Sequence, residues 1–230
     1  MMRARKLRAY IQNDLYLLFS PIANKNLRSP IFLSVSLQSA CQCVCSSGRC
    51  ILEPLTKLRP NDQDSTSAMI LGVISDTHGQ VDTTARAIEI MKCREAEQVV
   101  HCGDVGGTAI IELFRGLPTH FVVGNCDNAV TLQMSAEAAG HTFHGRIGEL
   151  SLLGRRISFL HGDSPYALER LLAEDQCDLI AHGHTHLASC QRYGSTLILN
   201  PGAMTRCSQP SIALVRLPDL EITVVPVESA

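Results

Sequence analysis

From residue 69 onward, short runs rich in Val, Ile and Leu alternate with longer amphipathic stretches, and five of those runs end in a small cluster of Gly, Asp, Asn or His. Apolar runs of strand length separated by helical periods specify β-α-β units and a largely parallel sheet. The pattern predicts strands at residues 70–75, 98–102 and 120–123, with helices at 81–92, 108–115 and 129–139. Further strands are expected at 149–153, 157–160 and 178–181, a helix at 166–174, and closing, hairpin-like strands at 188–193, 196–199, 212–216 and 221–226. Two sheets packed face to face and flanked by helices fit this order. Periodicity alone does not separate that arrangement from a single mixed sheet.

The clusters are Asp76-Thr77-His78, Gly103-Asp104, Gly124-Asn125, His161-Gly162-Asp163 and His182-Gly183-His184-Thr185-His186. Each follows the carboxyl end of an expected strand, and in α/β sheets such ends converge on one edge. Asp, Asn and His are ligands for divalent metals. Taken singly, each cluster has a local explanation. Asp76 could cap the helix starting near Gln80, the Gly-Asp and Gly-Asn pairs could be turns, and His161 could be a satisfied histidine. The alternating histidines resist that reading, because a strand exit puts His184 and His186 on one side.

These blocks, read in order as D-x-H, GD, GN, H and GHTH, resemble the signature of calcineurin-like metallophosphoesterases, over residues 69–230. LGVISDTHG, HCGDV, VGNCD, LHGD, AHGHTH and NPG look closest to the small bacterial and archaeal phosphodiesterases, whose relatives include the metallophosphoesterase-fold scaffold subunit of retromer. The resemblance implies a four-layer α-β-β-α fold and two divalent metal ions, with Mn first and Fe, Ni, Co or Zn as alternatives. It places Asp76, His78 and His186 on one metal, Asn125, His161 and His184 on the second, and Asp104 between them. The implied reaction is hydrolysis of a small phosphoester, a diester in the first instance, by water activated between the metals. The resemblance also implies catalytic roles for Asp104 and Asn125, and for His182 a role in orienting a ligand or the substrate. A phosphomonoesterase and a non-catalytic scaffold are the competing readings. Many family members follow the Gly-Asn pair with a histidine; Cys126-Asp127 stands here instead, which puts the acid that assists the leaving group in doubt. Cys126 is read as an inert or oxidisable thiol and Asp127 as a cap on the following helix. Asn200-Pro201-Gly202 is read as a structural turn near the site.

Charge divides the chain. Residues 1–68 hold nine Lys/Arg against four Asp/Glu, whereas the remainder holds eleven against eighteen and all nine histidines. The first part is expected to be a basic, poorly structured extension, beginning with a short basic helix and explained by an over-extended start ahead of Met69 or by a targeting segment. The acidic second part argues against a large nucleic-acid partner. No apolar run reaches membrane-spanning length. Six cysteines scattered through residues 69–230 lack the spacing of a disulfide framework, so they are expected to be reduced and the protein cytoplasmic. Cys41, Cys43, Cys45 and Cys50 lack the paired knuckles of a structural zinc site. Homo-oligomerisation is left open.

Overall fold

The computed structural model describes residues 68–228. The basic extension up to residue 67, with its expected helix and its four clustered cysteines, lies outside the described residues. Strands β1 (Met69–Ile74), β2 (Ala96–His101) and β3 (Thr119–Phe121) alternate with helices α1 (Val81–Cys93), α2 (Thr108–Leu113) and α3 (Ala129–Ala138). There follow β4 (Thr142–Phe143), β5 (Ile147–Leu152), β6 (Arg155–Leu160), α4 (Pro165–Glu174), β7 (Leu179–Ala181), β8 (Ser189–Tyr193), β9 (Thr196–Asn200), β10 (Ser211–Leu217) and β11 (Glu221–Pro226).

The strands form two sheets, one of six in the order β11-β10-β1-β2-β3-β4 and one of five in the order β5-β6-β7-β9-β8. In the first sheet β1 to β4 run parallel, and the β10-β11 hairpin is added antiparallel along the free edge of β1, with Val73 opposite Ala213. In the second, β6, β7 and β9 are parallel and β5 and β8 close the edges antiparallel. The expected two-sheet sandwich flanked by helices is therefore the fold.

Three apolar clusters account for the four layers. Ile74, Val99 and Phe121 meet Ala87, Ile88, Met91, Ile110 and Leu132 between the first sheet and α1 to α3. Leu71, Val73, Val100, Phe159, Leu179 and Val215 fill the space between the sheets. Leu160, Ile180 and Ile198 meet Leu168, Leu171 and Leu172 of α4 on the outer face of the second sheet. Helix α1 buries Thr84, Ala87, Ile88 and Met91, a three-to-four-residue stripe that seats it on the sheet. Successive β1 residues thus feed different layers, because side chains alternate across a strand. Both faces of the central strands are dry, which is why their sequences read as continuous apolar runs.

Two details differ from the expected elements. Strand β3 leaves the ladder at Phe121, and Val123 donates its N–H to the Gly145 carbonyl at 2.8 Å instead. Strand β4 is only two residues long, too short to carry a period. No helix among the described residues is long and apolar enough to cross a membrane, and the six cysteines there are all free.

Candidate metal centre

The ends of β1, β2, β3, β6 and β7 deliver the five clusters to one place, the first three from the six-stranded sheet and the other two from the five-stranded one. Two contacts sew the sheets together there. His184 donates its backbone N–H to Asp76 Oδ2 at 3.0 Å, and His161 Nδ1 lies 2.9 Å from the Cys102 carbonyl.

One lobe gathers Asp76, His78 and His186. The two histidine Nε2 atoms are 3.3 Å apart, and Asp76 Oδ1 lies 3.2 Å from that of His186 and 3.9 Å from that of His78. Asp76 is fully buried, yet Oδ1 has no hydrogen-bond partner; His186 is near enough for ionic attraction but not aligned to donate. The second lobe gathers Asp104, Asn125 and His161. His161 Nε2 is 2.9 Å from Asn125 Oδ1 and 3.4 Å from Asp104 Oδ2, which is itself 3.6 Å from His78 Nε2. Asp104 thus stands between the lobes. His184 lies beside the second lobe, its ring packed edge-on against His161 with centroids 5.1 Å apart, and it belongs to none of the metal-capable groups among the described residues. His182 is buried with Nδ1 3.1 Å from the Gly183 carbonyl, and it belongs to none of the metal-capable groups among the described residues.

The donor chemistry fits cations. Nδ1 of His161 faces a carbonyl, which can only accept, so Nδ1 holds the ring proton and a neutral Nε2 turns a lone pair toward two oxygens that also only accept. Acceptors converging at such distances need a proton or a metal ion between them. The first lobe, with two imidazole nitrogens and an orphaned carboxylate oxygen, poses the same requirement.

Protonation follows from this crowding. Burial disfavours the charged form of His161, but the adjoining Asp104 and Asp76 carboxylates outweigh it and raise the ring above its ordinary pKa. Asp76 raises His186 in the same way. Burial pushes His78 and His184 down. Burial would also raise both carboxyls, yet the neighbouring His186 holds Asp76 below the usual carboxylate range, and His161 with the Cys126 amide holds Asp104 well below it.

The ligand loops are fixed by residues with no ligand role in the sequence reading. His101 is fully buried, which pushes its pKa down to about 4 and keeps it neutral. Its Nδ1 accepts from the Gly103 N–H at 3.2 Å, so Nε2 donates to Thr77 Oγ1 at 3.0 Å, and Thr77 donates to the Val105 carbonyl at 2.8 Å. Asp127 does not cap α3. Asn128 does, accepting from the Thr131 N–H at 3.0 Å, because Asp127 is engaged in stapling two loops. It accepts from the N–H groups of Val105 at 2.9 Å, Gly106 at 3.2 Å and Gly124 at 3.0 Å. Asn200 does more than form a turn, since its Nδ2 donates to the Gly183 carbonyl at 3.1 Å and to Thr185 Oγ1 at 3.0 Å. The available signal was a polar residue inside an apolar run, as with His101 among Val99, Val100 and Cys102, which demands a buried partner.

The loops approach closely. A Cβ on Gly124 would lie 2.1 Å from Asp104 Oδ1, and one on Gly183 would lie 1.8 Å from Ser75 Oγ and 2.5 Å from Asp76 Oδ2. Asp76, His78, Asp104, His184 and His186 all hold left-handed backbone, with φ of 54°, 43°, 53°, 69° and 60°. Non-glycine residues are uncommon there and cluster at functional sites. Exposed Cys126 adds a thiol beside His78 and Asp104, and exposed Arg206 brings a positive charge that bears on His78 and His186. Clefts of about 280 Å³ beside Cys126 and about 230 Å³ beside His161 flank the centre.

Residues 69–220 match the model of the calcineurin-like phosphoesterase superfamily domain. A probable metallophosphoesterase of Methanothermobacter thermautotrophicus is 30% identical over 162 residues, covering 65% of this chain and 86% of the relative. Phosphodiesterase MJ0936 of Methanocaldococcus jannaschii is 25% identical over 138 residues, covering 58% of this chain and 83% of that protein. The solved structure of an archaeal phosphodiesterase superposes with a TM-score of 0.65 at 23% identity, covering 69% of this chain and 99% of that one; at that identity the likeness speaks for the fold.

Proposed function

The chain belongs to the calcineurin-like phosphoesterase superfamily, and from that premise we propose that residues 69–230 hydrolyse a small phosphodiester at a centre of two divalent cations, manganese being the first choice. Asp76, His78 and His186 would hold one cation and Asn125, His161 and His184 the other, with Asp104 standing between the two sets. The observation that carries this reading is the convergence of His161 Nε2 on Asn125 Oδ1 at 2.9 Å and on Asp104 Oδ2 at 3.4 Å, a set that needs a proton or a cation at its centre. When bound there, divalent cations would supply Lewis acidity for the phosphoryl oxygens and would lower the pKa of water toward neutrality.

The chain's own groups prepare that chemistry. Asp104, its pKa well depressed by His161 and the Cys126 amide, remains a carboxylate at all working pH values. The Cys102 carbonyl fixes the His161 tautomer, so its Nε2 is presented without rotation. His101, neutral and anchored at both nitrogens, holds the first two ligand loops in register. The leaving oxygen receives little help. Asp127 spends its carboxylate on three backbone amides, and the thiol of Cys126, raised by the neighbouring Asp104 carboxylate, is a weak acid. Substrates with good leaving groups are therefore favoured, and diesters of acidic phenols are the practical probes. A full set of ligand types at the five loops counts against a non-catalytic scaffold.

The test is hydrolysis of bis-p-nitrophenyl phosphate and p-nitrophenyl phosphate by protein stripped with chelator and reloaded with manganese. Diester turnover that appears with the metal, exceeds monoester turnover and is lost in Asp104→Ala supports the reading. Absence of turnover of both esters with each of several divalent metals, in folded protein, overturns it.

A further inference from the structure

The cleft on the His161 side has a chemistry distinct from the centre it adjoins. Its walls include Arg146, Asp163, Tyr166 and Arg170, together with His161, which also belongs to the candidate metal centre. Arg146 gives one bond to Asp163 at 2.6 Å, and that is its only protein acceptor among the described residues. Arg170 approaches Glu174 at 3.6 Å without a hydrogen bond. Tyr166 is 75% exposed. A guanidinium carries five donors, so most of the donors on these two arginines are unspent, and the cleft walls carry two fixed cations against one carboxylate. Exposed arginines cost little when solvated, but two of them lining one concavity raise the local concentration of anions. At about 230 Å³ the cleft is smaller than the roughly 300–1,000 Å³ that accepts a drug-sized ligand. It suits one compact group.

We propose that this cleft is a subsite for a second phosphate, carried on one ester arm of the substrate, with Arg146 and Arg170 as its ligands and Tyr166 covering the intervening apolar or aromatic part. Arginine pairs with phosphate through two parallel bonds. Asp163 acts as a positioning residue, holding Arg146 at the mouth until the phosphate arrives. The inference rests on the phosphodiesterase reading, since it names the substrate class of that same site: phosphodiesters with a further terminal phosphate in preference to simple diesters.

The experiment compares, in the manganese-loaded full chain, the p-nitrophenyl ester of thymidine 5'-phosphate with the same ester bearing a 3'-phosphate. The added phosphate is expected to lower KM about tenfold or more, and this advantage is expected to vanish in Arg146→Gln/Arg170→Gln and to persist in Arg94→Gln, whose position just after α1 is at the opposite end of the sheet from the site. Calorimetric binding of thymidine 3',5'-bisphosphate against thymidine 5'-phosphate repeats the comparison without turnover. Equal affinity for the two in the unmodified protein, or an advantage that survives the double substitution, overturns the subsite. If neither ester is hydrolysed but the bisphosphate preference is present and arginine-dependent, the subsite stands and the activity assignment falls. A carboxymethyl group in place of the 3'-phosphate that binds equally well overturns the choice of phosphate.

Discussion

Asp76 accepts a hydrogen bond from the backbone N–H of His184 at 3.0 Å, joining positions 108 residues apart that leave different sheets. Its other oxygen, buried and without a partner, faces His78 and His186. A single carboxylate therefore both closes the sandwich over the site and serves the site. Losing an outer partner of a metal ligand typically costs ~10–100-fold in affinity. Asp76→Ala removes a proposed ligand and a partner together, so its loss of manganese affinity, measured by calorimetry, is expected to exceed that range. Melting of the metal-free variant is expected to show only a modest change, of about 1–3 kcal/mol for the orphaned His184 amide.

The histidine environments set a pH dependence for metal binding. His161 and His186 hold protons above the ordinary histidine pKa, whereas His78 and His184 lose theirs below it. A metal must displace whatever protons its ligands carry. Affinity is expected to rise with pH as His161 and His186 deprotonate and then to level off above their raised values. Near pH 6.5 binding should release up to about two protons, a number obtained from calorimetry in buffers of different ionisation enthalpy. A release that increases with pH would contradict this assignment.

Asp127→Ala leaves the N–H groups of Val105, Gly106 and Gly124 without their acceptor. An unmet buried donor costs ~1–3 kcal/mol, and water will satisfy the more exposed ones, so about 2–4 kcal/mol of stability is expected to be lost in denaturant titration. Because the loops so released carry Asp104 and Asn125, kcat should fall more than KM rises. Asp127→Asn, which keeps one acceptor oxygen, should recover part of both.

Gly183→Ala places a methyl group where Ser75 Oγ and Asp76 Oδ2 now stand. Overpacking of this kind costs ~1–3 kcal/mol, and it pushes His184 and His186 away from Asp76. Metal binding is expected to weaken more than folding. Ser75→Ala in the same chain removes the nearest of three obstructing atoms, leaving Asp76 Oδ2 and Ser75 Cβ, so a double-mutant cycle should show a partial favourable coupling between the two changes.

The proposed ligand positions stood out in the sequence because metal chemistry calls for unusual residue types at places where the chain has no structural reason to put them. His182 to His186, alternating histidine with Gly and Thr at a strand exit, is not explained by turn chemistry. His101 and Asp127 were not legible for the opposite reason. Asp127 works through the backbone N–H groups of Val105, Gly106 and Gly124, which leave no trace in residue type, and the place of His101 in an apolar run demands buried partners without identifying them as the Gly103 N–H and the Thr77 hydroxyl. Strand positions were legible to within a few residues, and their division between two sheets was expected from the family resemblance but could not be read from periodicity. Leu71, Val73 and Ile74 are all buried, the first two between the sheets and the third under the helices, so a uniformly apolar string conceals which neighbour each face meets. Strand β4 owes its existence to pairing with β3 at only two positions, His120 with Thr142 and Phe121 with Phe143, a tertiary contact without a local pattern.

Left-handed backbone at Asp76, His78, Asp104, His184 and His186 also bears on how such a chain can drift. Each of these positions carries a conformational penalty of order 1–3 kcal/mol for a side chain other than glycine, and on the proposed function metal binding is what offsets it. A descendant that gave up metal binding would be released from the side chain but not from the turn, since the five loops would still have to meet between the sheets. Its cheapest substitutions at these positions would be glycine or asparagine rather than alanine. Decay of the activity should therefore be written as a drift toward small turn-forming residues, with the sandwich beneath left standing.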